Sequence, residues 1–436
     1  MKKNLAALTR TALLTSIFVC WGGTTSAEKP ASTPAPIIDS HVHLVGLGSD
    51  NSGCYLNPNQ QSWLHPLNYL KTLYMIKAAG IGNNHHADQA YVEQLDRHIL
   101  NFPGERPYYT LVFAFAPTYD RTSKTIDYAK TGIAVPNDYL LRVTANRPRM
   151  IPVGSLHPYQ ANLGEEMQRL HQAGVRLLKL LPNSMHFDPA DPESETFFRE
   201  AAAQKMVLIT HVGDEHSVAG GGINNAYGNP LLYEAWLKKY PQLKIIFAHV
   251  GSEGKSPTAE GKKEDNFNLV LALLRRYPQQ TYADISAFSV AFARARYLPH
   301  LLLASDIHDR LIYGSDYPLP SFGVVVGLTL STLRWHKLIS FRDIFTLLKI
   351  QRQNPFAYNY ELLRRLSYQG KSFPETVFYQ NFLAIFADRD LPSPLKGKTF
   401  TKIDDREIHS LPPLLEQASG ENRAPNLNQS PKEGPD

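Results

Sequence analysis

The chain has 436 residues, 43% hydrophobic and 19% charged, a balance that supports a large buried core and excludes disorder as a description of the whole. Its formal net charge of +5 is small for this length, and Lys and Arg are dispersed rather than clustered, so no nucleic-acid partner is expected. Length alone suggests two or three domains, but α/β barrels run to about 250 residues or more as one.

The amino terminus carries a targeting pattern. Lys2, Lys3 and Arg10 precede the apolar run 11–21 (TALLTSIFVCW), and Thr25-Ser26-Ala27 forms a small-residue cleavage site. The run is shorter than the roughly 20 residues that span a bilayer. The expectation is a signal peptide over 1–27, removed after Ala27, with export to the periplasm or medium and no stable membrane insertion afterwards. Lipid attachment at Cys20 is the alternative, disfavoured by the bulk of Phe18 and Val19 before it. Cleavage leaves Cys54 as the one cysteine, so no intramolecular disulfide is expected.

Residues 28–36 (EKPASTPAP) read as a Pro-rich leader. From residue 37 short apolar runs alternate with amphipathic stretches, the pattern of repeated β-then-α units. Strands are expected at 37–39, 109–115, 150–155, 175–181, 207–210, 244–248, 281–284 and 311–313. Helical spacing marks 164–173, 195–204, 230–240 and 267–277. Eight strands with helical connections predict an α/β fold, a (β/α)₈ TIM barrel over 37–360. An open doubly wound sheet is the alternative, but no Gly-rich phosphate turn follows the first strand. Residues 322–366 supply closing helices, and 361–414 form a C-terminal helical extension packed on the barrel. Its aromatic part, 373–386, is expected against the barrel's outside or mouth, and 368–386 either serves as the interface of a homo-oligomer or packs inward. Residues 415–436 lack apolar periodicity and read as a disordered tail.

The chemistry gathers at strand ends. His41 and His43 close the first run (IIDSHVHL), and alternate strand residues share a face, so both imidazoles can bind one ion. His211 follows MVLIT, His249 follows KIIFA, and Asp316 follows LIYGS. Barrel enzymes place catalytic groups at this position. Hydrogen-bonded core histidines and a capping aspartate would explain any one of these residues, but not all of them in the same relative place.

The strings IIDSHVHL, LITHVG, IIFAHVGS and LIYGSDYPLP closely resemble the amidohydrolase superfamily, and within it the amidohydrolase-related branch that includes aminocarboxymuconate semialdehyde decarboxylase. The resemblance covers about 37–360. It implies His41, His43 and His211 as metal ligands, Asp316 as ligand or proton shuttle, and His249 as a catalytic or supporting histidine. Three neutral imidazoles and a carboxylate suit one zinc ion and also accept manganese, iron or cobalt. Asp316 would then take the proton of an attacking water, with His249 orienting that water or stabilising oxyanion charge.

Lys179, near the end of the fourth strand, has three readings: a carboxylated bridge to a second metal, a cation for an acidic substrate, or a lysine reaching solvent. Asp284 holds a substrate group, pairs with a neighbour or caps the following turn. Arg294 and Arg296 follow the seventh strand and could meet a substrate carboxylate, and His157 could line the mouth. The loop after His211 carries Asp214, Glu215 and His216 and then Ala219-Gly220-Gly221-Gly222, either a lid or a plain surface loop.

The expected function is metal-dependent hydrolysis of an ester, lactone or amide of a small molecule. Non-oxidative decarboxylation of an aromatic or unsaturated acid is the alternative. A non-catalytic periplasmic binding protein is the second alternative, which a broken ligand set would mark; here the set is intact.

Overall fold

Eight short runs form one parallel sheet in a computed structural model. The structure describes residues 34–400 apart from 61, 63–65, 81–84 and 217–220. The signal peptide (1–27), most of the leader, residues 401–414, the tail (415–436) and Ala219-Gly220 lie outside the described residues.

The strands are β1 (Ile37–His43), β2 (Tyr108–Phe113), β3 (Met150–Gly154), β4 (Leu177–Leu180), β5 (Val207–Thr210), β6 (Lys244–Phe247), β7 (Thr281–Asp284) and β8 (Leu311–Ile312). They follow one another in sheet order, every pair parallel. Such strands are covered on both faces, which is why their sequences are continuous apolar runs rather than alternating ones. Closure joins first to last: Ser40 N donates to Tyr313 O at 2.9 Å, and His43 N to Tyr317 O at 2.9 Å. The fold is the expected (β/α)₈ barrel.

The helices are α1 (Pro66–Ala78), α2 (Ala87–Leu100), α3 (Asn137–Thr144), α4 (Leu163–Gln172), α5 (Glu195–Ala203), α6 (Glu234–Lys239), α7 (Asn266–Arg276), α8 (Leu298–Leu303), α9 (Gly323–Trp335), α10 (Phe341–Gln353), α11 (Pro355–Arg365) and α12 (Gln380–Ile385). In α4 the apolar positions Leu163, Met167 and Leu170 fall three and four apart and are buried against the barrel. Among the described residues no helix is long and apolar enough to cross a membrane.

Two expectations are corrected. The first strand runs four residues past Asp39, so His41 and His43 lie on the strand itself, where its pairing with β2 shifts by a bulge between Asp39 and Val42. The aromatic stretch 373–386 covers the strand starts, opposite the site. Lys244 Nζ donates to Ile385 O at 2.7 Å, and Asn381 Nδ2 to Leu311 O at 2.7 Å. Phe373, Phe378, Phe382 and Phe386 are buried there, so these rings seal the barrel floor. Cys54 is a free, buried thiol.

Candidate metal and acid–base site

The site stands on the carboxyl ends of the strands. Asp39, His41 and His43 alternate along β1, and Asp39 is the deep anchor. Its carboxylate accepts from Ser315 N (2.8 Å), His41 N (3.1 Å) and Tyr108 Oη (2.8 Å), tying β1 to the segment after β8. Burial pushes this carboxyl up to about 7 in spite of those donors. Farther up, the Tyr91 hydroxyl donates to the His43 carbonyl, and the Phe113 ring packs edge-on against His41 at 4.8 Å and His43 at 5.6 Å.

Two aspartates from β7 and the β8 end frame His41. Its Nδ1 donates to Asp284 Oδ2 at 2.9 Å, which fixes the tautomer and leaves the lone pair on Nε2. That Nε2 stands 3.6 Å from Asp316 Oδ1, beyond hydrogen-bond contact. His43 Nε2 lies 2.9 Å from the same Asp316 oxygen, a pair that shares a proton until an ion takes its place. Burial alone would raise Asp316; nearby His249 and the hydrogen bond from His43 outweigh it and hold the carboxyl well below its usual range. Burial, reinforced by the charge of Lys179, pushes His41 down to about 4 against the pull of Asp284.

His249 follows β6 in a left-handed backbone, φ 55°, with Val250 at φ 52°, and Asp316 has φ 63°. Three non-glycine residues in this region store strain of order 1–2 kcal/mol each. Asp284 helps hold the first: its Oδ1 accepts from His249 N at 2.9 Å and from Ser286 N at 3.1 Å. The Ser286 hydroxyl also donates to Asp284, so its oxygen accepts from His249 Nδ1 at 2.8 Å. This chain places the His249 lone pair on Nε2. Burial, with Arg294 adding to it, holds His249 neutral, well below its ordinary value. Asp284 thus pairs with a neighbour, as one expectation had it, and positions two histidines.

His211 is buried at the end of β5, its ring centroid 5.4 Å from that of His249. Its Nε2 lies 3.6 Å from Glu215 Oε2 and 3.4 Å from Asp214 O. Burial lowers its pKa, with Glu215 opposing. Lys179 is 1% exposed, which overturns the solvent-lysine reading. Its Nζ sits 3.4 Å from His41 Nε2 and 4.9 Å from the Phe113 ring centroid. Burial brings its ammonium down to about 8, although Asp284, Asp316 and Glu215 all pull upward.

The remaining candidates divide. Arg294 is buried, its charge reaches His249 and His211, it pairs with Glu253 Oε2 at 3.1 Å, and its Nε has no partner. Arg296 is not brought to the site; it bonds the Tyr297 hydroxyl at 2.8 Å and lies over that ring. His157 is saturated by backbone, Nε2 donating to Met185 O at 2.8 Å and Nδ1 accepting from Tyr159 N at 3.1 Å, so it is a structural residue. Glu215, Glu253, Ser286 and Phe113 complete the surroundings. Sequence reasoning placed Glu215 in a lid or surface loop and assigned the other three no role, although Ser286 stands two residues beyond a strand-end residue.

A divalent metal fits this donor set. His41, His43 and Asp316 bring ligand atoms within 4.8 Å of one another, as do His41, His249 and Asp284. Tetrahedral ligands about 2.0–2.1 Å from an ion stand about 3.3 Å apart, close to the His41–Asp316 spacing. The lone pair of His41 Nε2 and the ionised Asp316 oxygen are the donors such an ion requires. The structure brings His41, His43 and Asp316 together, with His211 beside them across His249.

The Amidohydrolase family profile matches residues 38–327. A dihydroorotase from Helicobacter pylori is 27% identical over 193 residues, which is 41% of this chain and 55% of that protein, so the chain spans about half the length of this curated relative. Among solved structures, 5-carboxyvanillate decarboxylase from Sphingomonas paucimobilis is 14% identical, covering 81% of this chain and 99% of that one with a TM-score of 0.46. The 4-oxalomesaconate hydratase from Rhodopseudomonas palustris is 13% identical, covering 80% and 95%, with a TM-score of 0.43.

Proposed function

The chain belongs to the amidohydrolase family, and we propose that it is a zinc-dependent hydrolase of an ester, lactone or amide in a small molecule that carries a carboxylate. The observation that carries this reading is Asp316, an ionised carboxylate 2.9 Å from His43 Nε2 and 3.6 Å from His41 Nε2. It is a base placed at the donor set. His41, His43, His211 and Asp316 would hold the ion. Bound there, a divalent metal supplies Lewis acidity, which lowers the pKa of water from 15.7 to about 7 on zinc.

The chain's own groups do the rest. Asp316 accepts the proton of the attacking water and returns it to the leaving oxygen or nitrogen. His249, neutral and with its lone pair on Nε2, orients that water as an acceptor. Arg294, steadied by Glu253, receives the substrate carboxylate through its fork of N–H donors. Phe113 closes the floor beneath His41 and Lys179 and keeps bulk water out.

The test is a panel of esters, lactones, amides and free acids assayed with metal-loaded full-length protein. Asp316→Asn is expected to lose at least about 10²-fold in kcat toward the hydrolysed member, the usual scale of a lost acid–base group. Arg294 also favours a second reading, non-oxidative decarboxylation, because such chemistry needs a cation on the carboxylate. Release of CO₂ without hydrolysis of any ester, lactone or amide would select it. We extend the proposal to export by residues 1–27; N-terminal sequencing of the mature protein then begins at Glu28.

A further inference from the structure

The floor stretch is buried, yet a different face of the barrel is apolar and open. Helix α9 (GVVVGLTLSTLRW) has one charged residue, Arg334, and is apolar on both sides. Its inner side buries Val326, Leu330 and Leu333. Its outer side exposes Val324, Leu328 and Trp335, which stand four and seven residues apart in one stripe. A surface helix normally turns a polar face outward, and one that is apolar all round is buried. Beside that stripe run Gly323, Gly327 and Ser331, four apart, and nothing lies within 4 Å of where a Cβ on Gly327 would sit.

Helix α10 continues the face with Phe341 and Phe345, whose rings touch edge-on at 5.2 Å. Trp335, Phe341 and Phe345 are 85%, 64% and 63% exposed. On the other flank α1 exposes Leu70, Leu73 and Tyr74, and Tyr74 packs on Phe322 at the head of α9 with ring centroids 4.9 Å apart.

We propose that this face, α9 and α10 flanked by α1, is the interface of a two-fold homodimer. Area decides for a second copy. With aromatic side chains worth about 150–250 Å² each, the exposed apolar surface of α9 and α10 comes to roughly 650 Å², and to about 900 Å² with α1. The largest patch on an ordinary monomer is about 300–600 Å². A standard interface takes about 800 Å² from each partner. A two-fold contact requires a surface that complements itself. Here the small-residue row of one α9 receives the Leu328 and Trp335 stripe of the other. Lys349 and Arg352 follow Phe345 at four and seven residues on the same side of α10 and end the apolar face there.

The experiment is the solution mass of the full chain at about 10 µM, by sedimentation velocity, for wild type, Trp335→Glu/Phe345→Glu and the control Tyr128→Glu, which alters an exposed aromatic elsewhere. The wild type and the control are expected as dimers and the double variant as monomer, with its far-UV circular dichroism unchanged. Gly327→Trp, which fills the small-residue row without adding charge, is expected to raise the dimer dissociation constant at least about 100-fold. A monomeric wild type, or variants as dimeric as the wild type, overturns the proposal. So does loss of anionic-vesicle binding in the double variant of a chain that is monomeric throughout. Substrate turnover plays no part in these readouts, so they stand apart from the hydrolase reading.

Discussion

At the residue scale the site is a set of proton acceptors held in one protonation state by its neighbours. Ser286 is the smallest test of that order, because one hydroxyl joins Asp284 to His249. Ser286→Ala removes the nearer acceptor of His249 Nδ1, leaves the Ser286 carbonyl oxygen at 3.4 Å and loosens the ring; kcat is expected to fall about 10-fold with KM changed less than twofold, the scale of lost outer-layer partners. A kcat within twofold of wild type would show that His249 is held without the Ser286 hydroxyl, by its backbone bond to Asp284 and by packing. His157 tests the same logic away from the site. Both its nitrogens serve backbone groups in the neutral form, and burial holds it down to about 4 from an ordinary 6.5. A histidine depressed in the folded state binds fewer protons there than when unfolded between those values. Its stabilisation is complete above pH 6.5 and is lost as pH falls toward 4, about 3 kcal/mol at roughly 1.4 kcal/mol per pH unit. Urea titrations at pH 7 and 4.5 should show that loss in wild type and a flatter dependence in His157→Gln. The strand-end residues were legible in sequence because each ends an apolar run. Glu253 and the saturation of His157 were not, since both depend on which loops meet across the mouth.

At the element scale the loops after β5 and β6 hold the groups that the strands cannot reach. Gly213, two residues past His211, has φ 91°, and an added Cβ would stand 2.6 Å from the Glu253 carbonyl oxygen. Its N–H donates to Gly228 O at 2.8 Å, so the turn is clamped from two sides. Gly213→Ala is expected to cost about 1–3 kcal/mol of stability, through positive φ and a backbone clash that no rotamer relieves. Because that turn carries His211 and Glu215 and abuts Glu253, metal affinity should fall about 10-fold in the same variant, read by competition with a chromophoric chelator. Unchanged affinity would place His211 outside the ligand set. The eight strands could be read from the sequence within a few residues, because strands buried on both faces are short unbroken apolar runs. The first was read too short, since Ser40, His41 and His43 are polar residues on a strand whose ends point into the site. The C-terminal aromatic stretch packs inward under the strand starts rather than at the mouth, because its partners are strand starts that periodicity alone cannot identify.

At the scale of the whole molecule the question is whether the metal holds the fold or only the chemistry. The barrel closes without an ion: Ser40 meets Tyr313, His43 meets Tyr317, and Asp316 N donates to His41 O at 2.9 Å. Asp39 and Asp284 supply further ties through backbone N–H groups. Chelation is therefore expected to abolish turnover while leaving far-UV circular dichroism unchanged. Stability should fall by about 3–4 kcal/mol, the linkage value for a ligand at 100–1,000 times its dissociation constant, seen as a drop of several degrees in Tm. Re-addition of zinc should restore both. Metal analysis of the restored protein reads Lys179 as well: about one ion per chain leaves its amine for an acidic substrate, and two require that amine as a carboxylated bridge. Collapse of the secondary structure on chelation would mean that His41, His43 and Asp316 are needed to close the barrel. The hydrogen bonds across the β1–β8 seam, which need no ion, argue for the opposite result.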